Sequence, residues 1–296
     1  MNKGVLFAAI TALVWGFLPI KLKVALSFAD SFTIVWFRFA IAFLFLFSFY
    51  LLKNRESIKI LFKPPILAII AALGLAFNYY GYIHGIALTT PGSAQIIIVS
   101  GPMSLALIGF LFFGEKINRY QILGFLVFLL GFTFFYIDKS SSFSNIADLN
   151  IGSLWVLSAG LSWALYAGLQ KKLSEKYNPQ ELNLIFYGLS ALLYLPTVNF
   201  PQIATFNFNQ WGLMVLLGLN TLIAYGCIGE ALKRIPANQV GVIVTLNPLI
   251  ALMAIGVITN LGFTFIDPEN LSILGISGAI LFIIGAILVI SRGKKL

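Results

Sequence analysis

Ten predominantly apolar stretches follow one another along the chain, at 4–23, 31–52, 65–87, 92–113, 119–137, 151–170, 181–199, 211–232, 237–259 and 271–291. A helix rising about 1.5 Å per residue needs about 20 such residues to cross about 30 Å of hydrocarbon, so each stretch predicts one membrane-spanning helix. The connections are short and carry helix breakers: Lys63-Pro64-Pro65, Thr90-Pro91-Gly92, Asn178-Pro179 and Asp267-Pro268. Residues 138–150 form the longest clearly polar linker and divide the chain into a first unit, 1–137, and a second, 151–296.

Composition agrees with that pattern. With 59% hydrophobic and only 10% charged residues, there is too little polar side chain to cover a water-soluble globule of 296 residues. The fold class expected is therefore an all-α integral membrane protein. Cys227 is the single cysteine and His84 the single histidine, which excludes a disulfide framework and a protein-only zinc site of three or four nitrogen and sulfur ligands.

The net charge of +9 has to be read by position. Lys3, Lys53, Arg55, Lys59, Lys63, Lys116, Arg119, Lys171, Lys172, Lys176, Lys233, Arg234, Arg292, Lys294 and Lys295 fall on one side of the alternating spans; Lys21, Lys23 and Lys139 fall on the other, and Arg38 lies within the second span. Short basic loops stay in the cytoplasm, so fifteen against three places both termini there. The basic charge is topology, and no nucleic-acid partner is expected. The opening Met1-Asn2-Lys3 and its apolar run have the form of a signal peptide, but the same pattern recurs from Gly152, so the run is expected to be a span.

The recurrence is systematic. Gly4, Trp15 and Lys23 match Gly152, Trp163 and Lys171 at a constant offset of 148. Tyr80-Gly81, Ile83 and Pro91 match Tyr225-Gly226, Ile228 and Pro236 at 145, Pro102 matches Pro248, and Gly124 and Gly131 match Gly278 and Gly285. Five spans per unit is an odd number, so the second unit is expected to be inverted relative to the first. Inverted repeats are a signature of secondary transporters, whose two halves open a midplane site alternately to each side.

Trp15-Gly16 with Lys23, Phe37-Arg38-Phe39, Pro102, Gly114-Glu115 and Gly124 with Gly131, in this order and duplicated, resemble the drug/metabolite transporter superfamily, in its ten-helix branch of two EamA-type repeats. The resemblance covers nearly the whole chain. The second half departs from it where Leu261 stands near the place of a second Gly-Glu glutamate and Tyr187 replaces the arginine. What the resemblance implies is a bacterial inner-membrane carrier of metabolites or drugs, most often an exporter of amino acids or related compounds.

Polar groups inside spans are costly unless paired or facing a cavity, which makes each a functional candidate. Gly74, Asn78, Gly81, Tyr82 and Gly85 share one helical face, and Gly218, Thr221, Tyr225 and Gly229 share the equivalent face in the second half. Each face reads either as a cavity wall or as a tight helix–helix seam. Trp15 and Trp163 lie near mid-membrane, where an indole can stack on a ring or hold a cation. Tyr166, nearly a turn beyond Trp163, and Gln95 and Asn247 complete the candidate substrate contacts. Pro19, Pro102 and Pro248 are candidate hinges. His84 and Glu230 are candidates for proton coupling, read alternatively as a wet structural histidine and as a partner of Lys233 or Arg234. Arg38 reads as holding an anionic group, as snorkelling or as capping carbonyls. Glu115 with Lys116 reads as a cytoplasmic pair or gate.

No Gly-x4-Gly-Lys-Ser/Thr phosphate loop, His-Glu-x2-His or Cys-x2-Cys motif occurs, and the acids are scattered mostly at helix ends, so neither ATP hydrolysis nor enzymatic catalysis is expected and no cofactor is implied. The expectation is a secondary transporter in the inner membrane, a monomer or homodimer with a small-molecule substrate, exporting by alternating access. Import of a metabolite or nucleotide derivative and a lipid-linked flippase are the alternatives.

Overall fold

The computed structural model describes residues 2–105, 118–142, 145–263 and 271–291, and every element among them is helical. The first span is divided into α1 (Lys3–Gly16) and α2 (Leu18–Leu26). There follow α3 (Ser31–Lys53), α4 (Ile66–Leu88), α5 (Pro91–Ile97) and, after a turn at 98–99, a helical segment over 100–105. The second half continues from α6 (Arg119–Ser142) through α7 (Ile146–Leu173), α8 (Pro179–Tyr194), the short α9 (Phe200–Ala204), α10 (Phe208–Arg234), α11 (Ala237–Val244), α12 (Asn247–Asn260) and α13 (Ile273–Ser291).

Seven helical stretches among the described residues are long and apolar enough to cross a membrane: Lys3–Leu26, Ser31–Lys53, Ile66–Leu88, Arg119–Ser141, Ile146–Leu173, Phe208–Arg234 and Gln239–Asn260. Ile273–Val289 is a shorter apolar helix of the same kind. These correspond to eight of the ten expected spans. The stretch expected at 181–199 is a helix of 16 residues, α8, ending in a 3-10 turn at Leu195–Thr197. That expected at 92–113 is described as far as residue 105. Gly114, Glu115, Lys116, Asp267, Pro268, Arg292, Lys294 and Lys295 lie outside the described residues.

Helix starts follow local chemistry. The Asp30 carboxylate accepts from Thr33 N at the start of α3, Asn207 and Gln210 form a reciprocal capping box on α10, and α5 and α8 begin with Pro91 and Pro179, whose missing N–H falls where a helix has no partner for one. The outward faces are apolar: Leu44, Phe45, Leu126, Leu161 and Leu216 are exposed, as suits a surface solvated by lipid.

Without a hydrophobic drive between helices in lipid, small residues set how closely they pack. Helices α6 and α13 run antiparallel with backbones in contact. A Cβ at Gly131 would lie 2.2 Å from Phe282 N, and one at Gly285 would lie 2.3 Å from Phe128 N. The equivalent glycine pairs, Gly124/Gly131 and Gly278/Gly285, thus face each other across one seam. The duplication reappears elsewhere in the packing: Gly152 abuts Leu88 and Thr89, and Gly4 abuts Arg234 and Ile235, within one position of their equivalents.

Candidate functional site

Three spans are interrupted near the middle of the bundle. Helix α1 gives way to α2 at Phe17, α5 ends before the turn at 98–99, and α11 ends before Thr245 and Leu246. A proline lies within three residues of each restart: Pro19 in the first turn of α2, Pro102 in the segment beginning at residue 100, and Pro248 in the first turn of α12. In a first helical turn the missing proline N–H leaves no hydrogen bond broken, so each proline stabilises a restart while disfavouring a continuous helix. The sixth span has Ala167 at the position equivalent to Pro19, and α7 runs through it unbroken.

The three interruptions border one cavity with about 580 Å³ of atom-free space, part of it open to the exterior. Its wall includes Trp15, Arg38, Asn78, Tyr82, Gln95, Pro102, Trp163, Tyr225 and Asn247. Seven of the eight residues expected to contact substrate therefore come together here. Tyr166 does not line the cavity: it is fully buried behind Tyr225, with ring centroids 5.6 Å apart, and packs edge-on against Phe186. Pro19 and Pro248 also lie outside the lining, whereas Pro102 is part of it.

The wall is aromatic and knitted across both halves of the chain. Trp15 meets Trp163 edge to face at 6.1 Å and Tyr225 at 5.3 Å. Tyr82 Oη donates to Gln95 Oε1, and Gln95 Nε2 donates to Trp15 O at 3.4 Å. Tyr225 Oη donates to Asn78 Oδ1 at 3.4 Å, while Asn78 Nδ2 donates to Ala159 O at 2.9 Å. Two polar atoms here stay without a hydrogen-bond partner, Trp163 Nε1 and Asn247 Oδ1, whereas the Tyr79 hydroxyl lies beside Thr221, Tyr225 and Arg38. A buried polar atom left unpaired costs free energy that a ligand can recover.

The glycine-containing faces serve two purposes. Gly74, Gly81 and Gly85 turn to α7, where a Cβ at Gly85 would lie 2.3 Å from Val156 Cγ2, while Asn78 and Tyr82 beside them reach the cavity. On α10, Gly218 packs on Ile41 and Gly229 on Gln170 and Pro179, while Tyr225 lines the cavity. Seam and cavity wall are thus adjoining edges of the same helices.

Arg38 is 2% exposed, so it does not snorkel to the interface. Its Nε donates to Thr221 Oγ1 at 3.2 Å and its guanidinium lies 4.1 Å from the centroid of the Tyr79 ring. A charge at such depth costs about 2.5–3.5 kcal/mol on insertion scales, and the ring face offsets part of that. The other ionisable candidates lie away from the cavity. His84 stacks on Tyr80 and meets Trp155 edge-on, each at 5.3 Å. Glu230 pairs with Arg234 at the end of α10 and accepts from Gln180 Nε2 at 3.4 Å. Tyr79, Leu18, Ile98, Val99, Val244 and Thr245 line the cavity without having been singled out from the sequence. Tyr79 shares the face of Asn78 and Tyr82, and the other five flank the helix interruptions that the prolines signal.

A polytopic, all-helical bundle with an aromatic cavity at its centre is the architecture of a membrane transporter. The sequence profile of the EamA-like transporter family matches residues 2–137 and 150–291, and the chain belongs to that family. It is 32% identical over 292 residues to an uncharacterized transporter of Haemophilus influenzae, covering 95% of each chain. It is 29% identical to the uncharacterized inner membrane transporter YhbE of Escherichia coli strain K12, over 96% of this chain and 89% of that one. The pseudopaline exporter CntI of Pseudomonas aeruginosa is 26% identical, with 100% of this chain and 98% of that one covered. A solved crystal structure superposes with a TM-score of 0.68 over 98% of this chain and 97% of the other, at 17% identity, which shows a shared fold. The protein is a multi-pass membrane transporter of the drug/metabolite type.

Proposed function

We propose that the protein exports a small organic solute by alternating access, with the substrate held in the aromatic cavity between two inverted halves and both termini in the cytoplasm. The observation that carries this reading is the meeting of Trp15 with Trp163, equivalent residues of the two units, in the wall of a cavity bordered by interrupted helices. The equivalent seams around Gly4 and Gly152 support inverted halves that can exchange conformations, because each half has a matching set of neighbours. Discontinuous helices at a central site free backbone groups and let the halves of a span move separately. Export is favoured by the named activity of the CntI relative. The substrate contacts are Trp15, Asn78, Tyr82, Gln95, Trp163, Tyr225 and Asn247.

The test is exchange in proteoliposomes loaded with a pooled metabolite mixture, read by mass spectrometry against protein-free liposomes, with and without a pH gradient. Protein-dependent movement of a defined solute is expected. Folded protein that moves no soluble compound but translocates a fluorescent lipid would replace the carrier with a flippase.

A further inference from the structure

From the placement of Arg38 and Lys21 we infer that the cavity contains an anion subsite, so that the substrate is a compact organic anion with a carboxylate on an apolar or aromatic body. This rests on the proposal that the aromatic cavity is the transport site. Arg38 lines the cavity and is 2% exposed, yet among the described residues it forms no ion pair. Its Nε donates to Thr221 Oγ1 and its side chain also meets the Tyr79 hydroxyl, and neither partner supplies a counter-charge. Lys21, on α2, reaches the next residue of α10: its Nζ donates to Asn220 Oδ1 at 2.5 Å. The Asn220 side chain is 4% exposed and its Nδ2 has no hydrogen-bond partner. Arg38, which lines the cavity, and Lys21, which does not, thus reach adjacent residues of α10, and no acid among the described residues is paired to either cation.

A membrane protein that needed these groups only for packing would lower its free energy by pairing the charges or replacing them, since an uncompensated interior charge is costly. A carboxylate entering the cavity supplies the missing counter-charge, and a guanidinium offers it a planar, bidentate match. The remainder of the wall, with Trp15, Trp163, Tyr79 and Tyr82, fits an apolar or planar body. A cationic drug is excluded by the same arrangement, because it would bring a third positive charge to an unpaired pair.

The experiment uses the full-length protein in nanodiscs at neutral pH and a matched pair of probes, phenylacetate and its neutral isostere phenylacetamide, with binding read by tryptophan fluorescence and thermal stabilisation. Phenylacetate is expected to bind about tenfold more tightly than the amide, the preference of a hydrogen-bonded charge over a neutral group. Arg38→Gln is expected to remove that preference by weakening phenylacetate binding about tenfold, to the level of the amide, and Lys21→Gln to weaken the preference. Equal affinity for both probes, or a preference that survives Arg38→Gln, overturns the anion subsite and leaves the aromatic cavity standing. Binding of neither probe overturns both. If Arg38→Gln does not fold, Lys21→Gln, whose side chain is only partly buried, and the matched pair on the unaltered protein decide the matter.

Discussion

Trp15 and Trp163 stand 148 positions apart in sequence, at the same register of the two duplicated units, and meet with ring centroids 6.1 Å apart and planes inclined at 78°. Edge-to-face contact suits the ring quadrupoles, Trp15 adds a second such contact with Tyr225, and the Trp163 Nε1–H stays uncommitted. The duplication therefore delivers a pair of large aromatic surfaces to the point where the two halves touch, and a rearrangement of the halves must change this contact.

Because Trp163 Nε1 has no partner, its N–H contributes little to folding, and Trp163→Phe is expected to keep the melting temperature and membrane insertion while weakening substrate binding by about 1 kcal/mol, the net worth of one hydrogen bond. Trp163→Ala and Tyr82→Ala are expected to reduce transport more, through loss of the ring and of the hydrogen bond to Gln95. Transport rates in proteoliposomes, read beside thermal unfolding of the same preparations, check this; unchanged transport in both alanine variants would remove the central cavity as the site.

Gly131→Leu is expected to lower stability by about 1–3 kcal/mol or to abolish folded yield, because the space its Cβ would occupy is filled by the backbone of α13 at Phe282. Gly256→Leu, with nothing within 4 Å of the equivalent point, is the control and should be near neutral. Detergent-resistant folded fractions from the two variants provide the comparison, and equal yields would mean that α6 and α13 do not pack through this seam.

Much of this architecture was legible from hydropathy, since a helix in lipid must be apolar along its whole length and the spans reveal themselves by composition alone. The interruptions in the first, fourth and ninth spans were not legible as interruptions, because a break of one or two residues leaves the apolar run intact; only Pro19, Pro102 and Pro248 pointed to them. The periodic face containing Asn78 and Tyr82 led to the cavity wall, but the same period also brought in the glycines that pack on α7, because seam and wall adjoin on one helix. Tyr166 lies a turn from Trp163 yet is sealed behind Tyr225, and sequence spacing carries no measure of that depth. Arg38 could not be matched to Thr221 from sequence, since 183 positions separate them and their meeting depends on how α3 packs against α10.

The proposed orientation predicts where a membrane-impermeant thiol reagent reacts. In a Cys227→Ser background, a cysteine in place of Ser140, in the linker between the halves, is expected to be labelled from outside intact cells. One in place of Glu56, in the basic segment after α3, is expected to react only after permeabilisation. The basis is the excess of lysine and arginine on the Glu56 side. The reverse labelling pattern would turn the protein over in the membrane and, with it, the assignment of export.

His84 and Glu230 are the candidates for proton coupling, each with a structural reading beside it, and neither side chain lines the cavity. A proton carrier has to exchange occupancy with the substrate or with the conformational change, which requires contact with one of them. Glu230 is instead tied to Arg234 one turn along α10 and to Gln180, at the cytoplasmic end of the proposed topology. His84 is held between the rings of Tyr80 and Trp155 near the opposite end of its span. Glu230→Gln is expected to cost at most about 1 kcal/mol in stability, the worth of a partly exposed ion pair, and to leave any dependence of transport on a pH gradient unchanged. His84→Gln should likewise preserve that dependence, with a small loss of stability from the aromatic contacts. The measurement is solute flux with and without an imposed pH gradient for each variant. If either substitution abolishes the gradient response while retaining exchange at symmetric pH, coupling runs through that residue, and the path between it and the cavity must open in a conformation other than this one.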